Sequence, residues 1–187
     1  MKVLILDNYD SFTYNLAQII HRVGVEYAVH RNDQITLSEV GSYDKILLSP
    51  GPGIPSQAGI MNDIIKQYGR TKSILGICLG HQGIAEVYGG TLYNIPKALH
   101  GVTSQAKILD SGEILFSGLK ETVKVTHYHS WAITPGSLPP HVRVTSENED
   151  GMIMSIRHST DDVCGLQFHP ESIMTPDGPR MIENWLK

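Results

Sequence analysis

Cys78 lies in the segment GICLG (residues 76–80), directly after the apolar run SIL (residues 73–75). The flanking glycines permit a sharp strand-to-helix turn, because residues without a Cβ atom reach strained backbone angles and clear the adjoining backbone. Such a turn points the sulfur at unpaired amides and the positive end of the next helix, which favours the nucleophilic thiolate. An isolated cysteine is more often a small buried hydrophobic residue. The two glycines and a downstream His-x-Glu favour a nucleophile here.

The downstream pair is His169 and Glu171, separated by Pro170. On an extended segment, residues two apart point to the same side, so the imidazole and the carboxylate can act side by side. Proline cannot donate a sheet hydrogen bond, which places the pair at a strand end or edge. A lone histidine would more often be structural, but a nearby thiol predicts a triad. In it Cys78 is the nucleophile, His169 the general base and acid, and Glu171 the orienting group.

A third candidate element is the loop SPGPG (residues 49–53), which follows an apolar strand. Prolines fix φ, and glycines allow the backbone to approach a ligand closely. A loop of this stiffness can hold the N–H of Gly51 or Gly53 as a preplaced donor for a developing oxyanion. An ordinary tight turn explains the pattern equally well.

Composition predicts a single domain over residues 1–187, with 41% apolar residues to form a substantial core. A net charge of −4 and the lack of a basic run argue against nucleic-acid binding. No apolar run approaches the length of a signal-peptide core or a membrane span, so we expect a cytoplasmic protein without membrane contact. Two cysteines are too few for a disulfide framework, and Cys164 lies in an apolar stretch typical of the core.

The first half alternates apolar strands with helical segments, which predicts an α/β fold with an open, mostly parallel twisted sheet and helices on both faces. Strands are predicted at residues 3–6, 26–30, 45–49 and 73–77, and helices at residues 11–22, 59–68 and 80–88. Ser11 is a candidate N-cap. Residues 90–168 predict a smaller mixed or antiparallel β portion, and residues 178–186 a closing helix.

The sequence contains no strong motif for binding a cofactor or a metal. The loop after the first strand contains no glycine, so the dinucleotide fingerprint is missing and a nicotinamide or flavin cofactor is disfavoured. His127 and His129 would share one face of a strand and could bind a metal, but no third ligand has suitable spacing. Cys78 and His81 could also be ligands, although His81 more plausibly packs or caps inside the turn. We therefore expect no cofactor and no metal in this chain.

The segments GICLGHQ (residues 76–82) and QFHPES (residues 167–172) look like the two signatures of class I, triad-type glutamine amidotransferases. Three further segments narrow the resemblance: DNYDSFTYN (residues 7–15), SPGPG and TPDGP (residues 175–179). They resemble the amidotransferase subunits of anthranilate synthase and of aminodeoxychorismate synthase, which makes the precursor of para-aminobenzoate. The similarity covers essentially the whole chain and implies a flavodoxin-like fold.

The resemblance implies a role for each matching residue. Cys78 would attack the side-chain amide of L-glutamine, and the oxyanion would be held by backbone N–H groups of Leu79 and of the Gly51-Pro52-Gly53 loop. His169 would protonate the departing ammonia and then activate the water that hydrolyses the γ-glutamyl thioester. The residues expected to hold the substrate are Gln82, Ser130 and Trp131, the last two chiefly through backbone.

Two positions depart from the family pattern. Val102 stands where a basic residue is expected after His-Gly, and Trp131 stands where an aliphatic residue is expected after His-Ser. Neither belongs to the proposed triad, and both are candidates for the surface on which a partner docks. The segment 129–130 also fits a turn after a strand at residues 123–128, or simply a strand end.

The implied partner is a chorismate-binding synthase subunit, expected to carry magnesium, which receives the ammonia in a hetero-complex. Whether the product is anthranilate or aminodeoxychorismate stays open at this point. One alternative is a stand-alone cysteine hydrolase of similar fold, such as a γ-glutamyl peptidase, which would use the same triad. The other is a regulatory protein without activity, and the intact Cys78, His169 and Glu171 argue against it.

Overall fold

A computed structural model describes residues 1–187 of the chain, which form nine strands and five α-helices. The strands are β1 (Lys2–Asp7), β2 (Glu26–Arg31), β3 (Lys45–Leu48), β4 (Ser73–Ile77), β5 (Leu92–Ile108), β6 (Thr122–Ile133), β7 (Val142–Asn148), β8 (Ile153–His158) and β9 (Val163–Leu166). The helices are α1 (Thr13–Val23), α2 (Leu37–Val40), α3 (Met61–Tyr68), α4 (Leu79–Val87) and α5 (Gly178–Leu186).

All nine strands belong to one sheet, in the order β2-β1-β3-β4-β9-β8-β7-β5-β6. The first five are parallel to one another, and the pairings from β9 onward are antiparallel. The predicted α/β fold is confirmed. The antiparallel strands continue the same sheet, which is therefore mixed.

Helices cover both faces of the parallel strands, as the strand composition requires. Along β1, Val3 and Ile5 pack into one core cluster with α1 and α5, and Leu4 and Leu6 pack into the other with α3 and α4. This alternation follows from the two-residue period of a strand, and burial on both faces explains why β1 is apolar from Val3 to Leu6. None of the helices has the length and apolar character needed to span a membrane.

The start of α1 differs from the prediction. The helix begins at Thr13, and the capping position is held by Phe12 without any side-chain hydrogen bond, so the expectation of a Ser11 cap was wrong. The carboxylate of Asp7, at the end of β1, instead accepts hydrogen bonds from the Thr13 hydroxyl and the Asp10 N–H. Asp7 thus ties the loop and the first helical residue to β1, while no side chain caps the helix.

Two further local predictions need correction. The four-residue helix α2 was missed, although Thr36 and Glu39 form a reciprocal capping box at its start. Strand β6 continues to Ile133, so a strand end at residue 128 and a turn at residues 129–130 were wrong. The closing helix α5 is confirmed at its predicted bounds, with Pro179 in its first turn.

Candidate active site

Cys78 occupies a strained turn between β4 and α4. Its φ of 51° and ψ of −98° lie outside the regions that most L-residues adopt. A Cβ atom on Gly76 would lie 2.4 Å from the carbonyl carbon of Gly80, and one on Gly80 would lie 2.6 Å from the carbonyl oxygen of Leu48. Only glycine fits at either position, which confirms the sharp strand-to-helix turn. Strain of about 1–3 kcal/mol at such a residue is typical of functional sites.

His169 and Glu171 form a buried pair on the segment that follows β9. Nδ1 of the imidazole lies 2.6 Å from Oε1 of the carboxylate. The other nitrogen, Nε2, is buried without an oxygen or nitrogen partner. Burial alone would lower the pKa of His169, but its contact with Cys78 and its bond to Glu171 outweigh burial and raise the pKa to about 10. The imidazole is therefore protonated at neutral pH.

A cavity of about 210 Å³ opens over the cysteine. This is below the roughly 300–1,000 Å³ of pockets for drug-sized ligands, which restricts it to a small molecule. The residues that line it are Gly51, Pro52, Gly53, Cys78, Gln82, Ala98, Leu99, His100, Tyr128, His129, Ser130 and Trp131. Every substrate-binding residue predicted from the sequence lies in this wall except Leu79, which directly follows Cys78.

The Pro-Gly loop is fixed beside this cavity. Asn8 holds its first residue, Ser49, through two hydrogen bonds: its N–H donates to the hydroxyl at 2.9 Å and its side-chain amide to the carbonyl at 2.8 Å. A Cβ on Gly51 would lie 2.5 Å from the Asn8 carbonyl oxygen and 2.9 Å from a methyl of Leu79, and Gly53 has φ of 74°. The N–H groups of both glycines have no hydrogen-bond partner in the chain. They are available as donors to a bound group.

Comparison with known proteins identifies the family to which this chain belongs. Residues 4–187 match the family described as glutamine amidotransferase class-I. The chain belongs to this family. The resemblance inferred from its sequence is thereby confirmed.

Individual relatives match this amidotransferase over nearly its full length. The aminodeoxychorismate/anthranilate synthase component 2 of Bacillus subtilis is 44% identical over 187 residues, covering 99% of this chain and 95% of the relative. The aminodeoxychorismate synthase component 2 of Escherichia coli is 44% identical over 186 residues, covering 98% of each chain. A solved structure from Thermoplasma acidophilum, described as part of a GMP synthase, superposes with a TM-score of 0.89 at 25% identity, covering 100% of this chain and 92% of the other.

Gln167 is a site residue of the amidotransferase that sequence reasoning did not single out. Its side-chain amide donates to the Cys78 sulfur at 3.7 Å, and its Oε1 accepts from the Gln82 amide at 3.2 Å. The same Gln82 nitrogen donates to the Trp131 carbonyl at 2.8 Å. A signal was present, because Gln167 precedes His169 by two residues and so shares its side of an extended segment.

The residues of the cavity wall that the sequence did not predict lie where the pairing of β5 with β6 is irregular. Ala98, Leu99 and His100 lie where the β5 register shifts, and Tyr128 contacts both His100 and His169 with ring centroids 5.1 Å apart. The local sequence pattern does not predict where the pairing of two strands breaks, and so it does not predict which side chains then line the cavity.

The two departures from the family pattern have different surroundings. Trp131 lines the cavity, and its carbonyl accepts hydrogen bonds from Gln82 and His129. Val102 is 45% exposed on β5. It therefore remains a candidate for a docking surface, whereas Trp131 lines the cavity over Cys78.

The histidines considered as metal ligands have other partners. No group of three or more His, Cys, Asp or Glu side chains is arranged to hold a metal ion. His127 and His129 are hydrogen-bonded to each other at 3.1 Å. His81 is fully buried against Gly165, and neither ring nitrogen makes a hydrogen bond, so it packs in the turn and does not cap it.

Proposed function

We propose that this chain is the glutamine-hydrolysing component of an anthranilate or aminodeoxychorismate synthase. The observation that carries the chemistry is the position of Cys78, strained at the start of α4, beside His169 of the His169–Glu171 pair and open to a small cavity. Support for the pathway comes from relatives with those names, which match along nearly the whole chain.

The first half of the reaction forms a thioester. The Cys78 thiolate attacks the side-chain amide carbon of glutamine, and the negative charge that develops on the amide oxygen is held by the N–H groups of Leu79 and of Gly51 or Gly53. The raised pKa of His169 makes its imidazolium the resting form, so it is ready to act as a general acid. It donates a proton to the leaving nitrogen, and ammonia departs.

The second half hydrolyses the thioester. His169, now neutral, takes a proton from water as that water attacks the γ-glutamyl carbonyl, and the same N–H groups hold the second oxyanion. The carbon–sulfur bond then breaks, the thiolate returns, and the imidazolium is restored. Glutamine and water are thus converted to glutamate and ammonia. Glu171 keeps Nδ1 protonated and oriented throughout, so that Nε2 faces the sulfur.

The product explains the need for a partner. Ammonia released into neutral water is mostly protonated and no longer nucleophilic, so it must pass directly to the subunit that uses it. We propose a hetero-complex with a chorismate-binding synthase subunit, which holds magnesium, while this chain needs no cofactor of its own. The synthase would stimulate hydrolysis by ordering the loop of residues 51–53.

The experiment is to measure glutamate release by the purified chain alone and with each chorismate-using synthase of the same organism. We expect slow release alone and a marked increase with the cognate synthase. Identification of the aromatic amine formed then separates anthranilate from aminodeoxychorismate synthesis. No increase with any of them, together with cleavage of γ-glutamyl peptides by the chain alone, would instead support a γ-glutamyl peptidase.

A further inference from the structure

Two buried histidines of β6 lie beside the glutamine cavity without a part in the proposed chemistry. Ser104 Oγ lies 2.7 Å from Nε2 of His127, Nδ1 of His127 lies 3.1 Å from Nε2 of His129, and Nδ1 of His129 lies 2.9 Å from the Trp131 carbonyl oxygen. These four groups form one continuous chain of hydrogen bonds. It begins on β5 and ends in the wall of the cavity.

The direction of this chain is fixed by its last member. A carbonyl oxygen can only accept, so Nδ1 of His129 must carry the proton. Burial lowers the pKa of His127 to about 3 and that of His129 to about 4, so both rings are neutral at neutral pH. Nε2 of His129 therefore accepts from Nδ1 of His127, whose own Nε2 accepts from the Ser104 hydroxyl. Both histidines are Nδ1–H tautomers.

The chain converges with a second set of bonds on the Trp131 carbonyl. The Gln82 amide nitrogen also donates to that oxygen, at 2.8 Å, and with its other proton to Gln167, which contacts the Cys78 sulfur. Since the carbonyl cannot donate, the Gln82 amide must present its nitrogen to Trp131 and its oxygen elsewhere. The orientation of Gln82, a wall residue of the cavity, thus depends on where the Trp131 carbonyl points.

The pairing of β5 with β6 breaks off directly before Trp131. Asn94 pairs with Trp131 and Leu99 with His129, so residues 95–98 of β5 lie opposite the single residue Ser130. Because no β5 residue pairs with Ser130, its backbone is free to bind a substrate. The same gap removes the strand pairing that would otherwise fix its position. Trp131 is the last paired residue before this gap, and the side-chain hydrogen bonds to its carbonyl add to the restraint from Asn94.

We propose that Ser104, His127 and His129 form a positioning relay that holds the Trp131 carbonyl, and through it Gln82, in the orientation that binds glutamine. The proposal rests on the proposed function, and it assigns positioning roles to Ser104 and His127, which lie outside the cavity wall. Its members do not touch the reacting atoms, so the relay acts on substrate affinity.

The first test is the tautomeric state of the two histidines in the full-length wild-type chain. Long-range ¹H–¹⁵N NMR spectra at neutral pH distinguish Nδ1–H, Nε2–H and doubly protonated imidazoles. We expect both His127 and His129 to be neutral Nδ1–H tautomers. An Nε2–H tautomer or a charged ring at either position would overturn the relay. This measurement needs neither a variant nor glutaminase activity, so it stands even if the proposed function fails.

The second test uses His127 variants in the complex with the synthase. His127→Leu removes the donor to His129, and we expect the KM for glutamine to rise about fivefold to tenfold, the effect of one lost buried hydrogen bond, with little change in kcat. His127→Asn is the matched control, because its amide nitrogen occupies nearly the position of Nδ1 and can donate to His129. Its KM should stay near the wild-type value.

Circular dichroism of the chain and its co-elution with the synthase report on folding and docking, and both should be unchanged in both variants. An unchanged KM in His127→Leu, or an equal rise in His127→Asn, would overturn the relay. If His127→Leu does not fold, the asparagine variant and the tautomers decide alone. Absence of glutamine hydrolysis by the wild-type complex would instead contradict the proposed function.

Discussion

The end of β4 and the interior of its neighbour β9 each hold one cysteine, and the two sulfurs have different surroundings. Cys164 pairs with Leu75 in the middle of the sheet, is fully buried, and has its pKa raised to about 12 by that burial. Cys78 stands one residue beyond the strand, where the backbone turns, a helix begins, and a protonated His169 is in contact. Reactivity is therefore set by place in the fold rather than by residue type.

Replacing each sulfur by oxygen should give the largest contrast between the two sites. Cys78→Ser leaves a hydroxyl that is far harder to ionise, so glutamine-dependent synthesis by the complex should fall at least about a thousandfold. Synthesis from added ammonium should persist, because the synthase is untouched. Both rates are measured with the same reconstituted complex.

Cys164→Ser is the matched control for that experiment. It should retain glutamine-dependent synthesis, since its thiol lies away from the cavity and donates to the Ile74 carbonyl, as a hydroxyl also can. A glutamine-like electrophile should label only Cys78 in the wild-type chain. Equal loss of both activities in Cys78→Ser would mean that the residue is structural.

Glu171→Gln tests the feature that distinguishes the Cys78 site from the Cys164 site, namely the positive charge near the sulfur. The amide no longer stabilises the imidazolium, so the pKa of His169 should fall, and glutamine-dependent kcat/KM should decrease about 100-fold, the lower range for loss of general acid–base catalysis. Glu149→Gln, at an exposed position without an ion pair, is the control and should be neutral.

The same variant has a signed effect on stability. His169 has a folded-state pKa of about 10, above the 6.5 of an ordinary histidine, so its contribution to folding is fully present below about pH 6.5 and is lost as the pH rises through 10. The difference in unfolding free energy between wild type and Glu171→Gln should therefore be larger at about pH 6 than at about pH 10.5. Urea unfolding at both pH values measures it, and an equal difference would show that the imidazole is not charged.

The turn between β4 and α4, which positions Cys78, can be disrupted by a single substitution. A Cβ on Gly76 would lie 2.4 Å from backbone atoms of the next helix, which cannot give way as a flexible side chain can. Gly76→Ala should therefore lower the free energy of unfolding by about 1–3 kcal/mol or more, as overpacking does.

Gly112→Ala is the control for this substitution, because its φ is ordinary and the nearest atom is a carboxylate oxygen of Asp110 at 3.3 Å. Surface changes of this kind usually stay within about 0.5 kcal/mol. Thermal or urea unfolding compares the two. Similar small losses would mean that the turn tolerates a methyl group and that strain does not define the site.

Much of the site around Cys78 was predictable, because the residues that determine it are close together in the sequence. The glycines two residues either side of Cys78 and the His-x-Glu spacing specify a turn and a pair without reference to the rest of the chain. Four of the five parallel strands were also placed within one residue of their observed ends, since burial on both faces gives apolar runs, whereas β9 was not placed as a strand.

The antiparallel half was not predictable to the same degree. The wall of the cavity depends on a break in pairing between β5 and β6, and the contacts among Gln82, Trp131 and Gln167 join residues 49 and 85 positions apart. The start of α1 was misplaced for a related reason, because the hydroxyl of its first residue, Thr13, bonds to Asp7 of the preceding strand. Local patterns carry no information on which distant atom completes a hydrogen bond.

Trp131→Leu should give the smallest effect on the KM for glutamine. It tests whether the backbone or the side chain of this residue matters in the cavity wall. Both hydrogen bonds that this residue accepts from side chains end on its carbonyl oxygen, which any substitution leaves in place. Leucine is an aliphatic residue of the kind the family pattern has here, so the KM for glutamine should change by less than about threefold, within the effect of one weak contact. Gln82→Leu, which removes the donor to that carbonyl, is the contrasting variant and should raise KM by about tenfold. A rise of similar size in Trp131→Leu would show that the indole ring, and not the peptide, shapes this wall of the cavity.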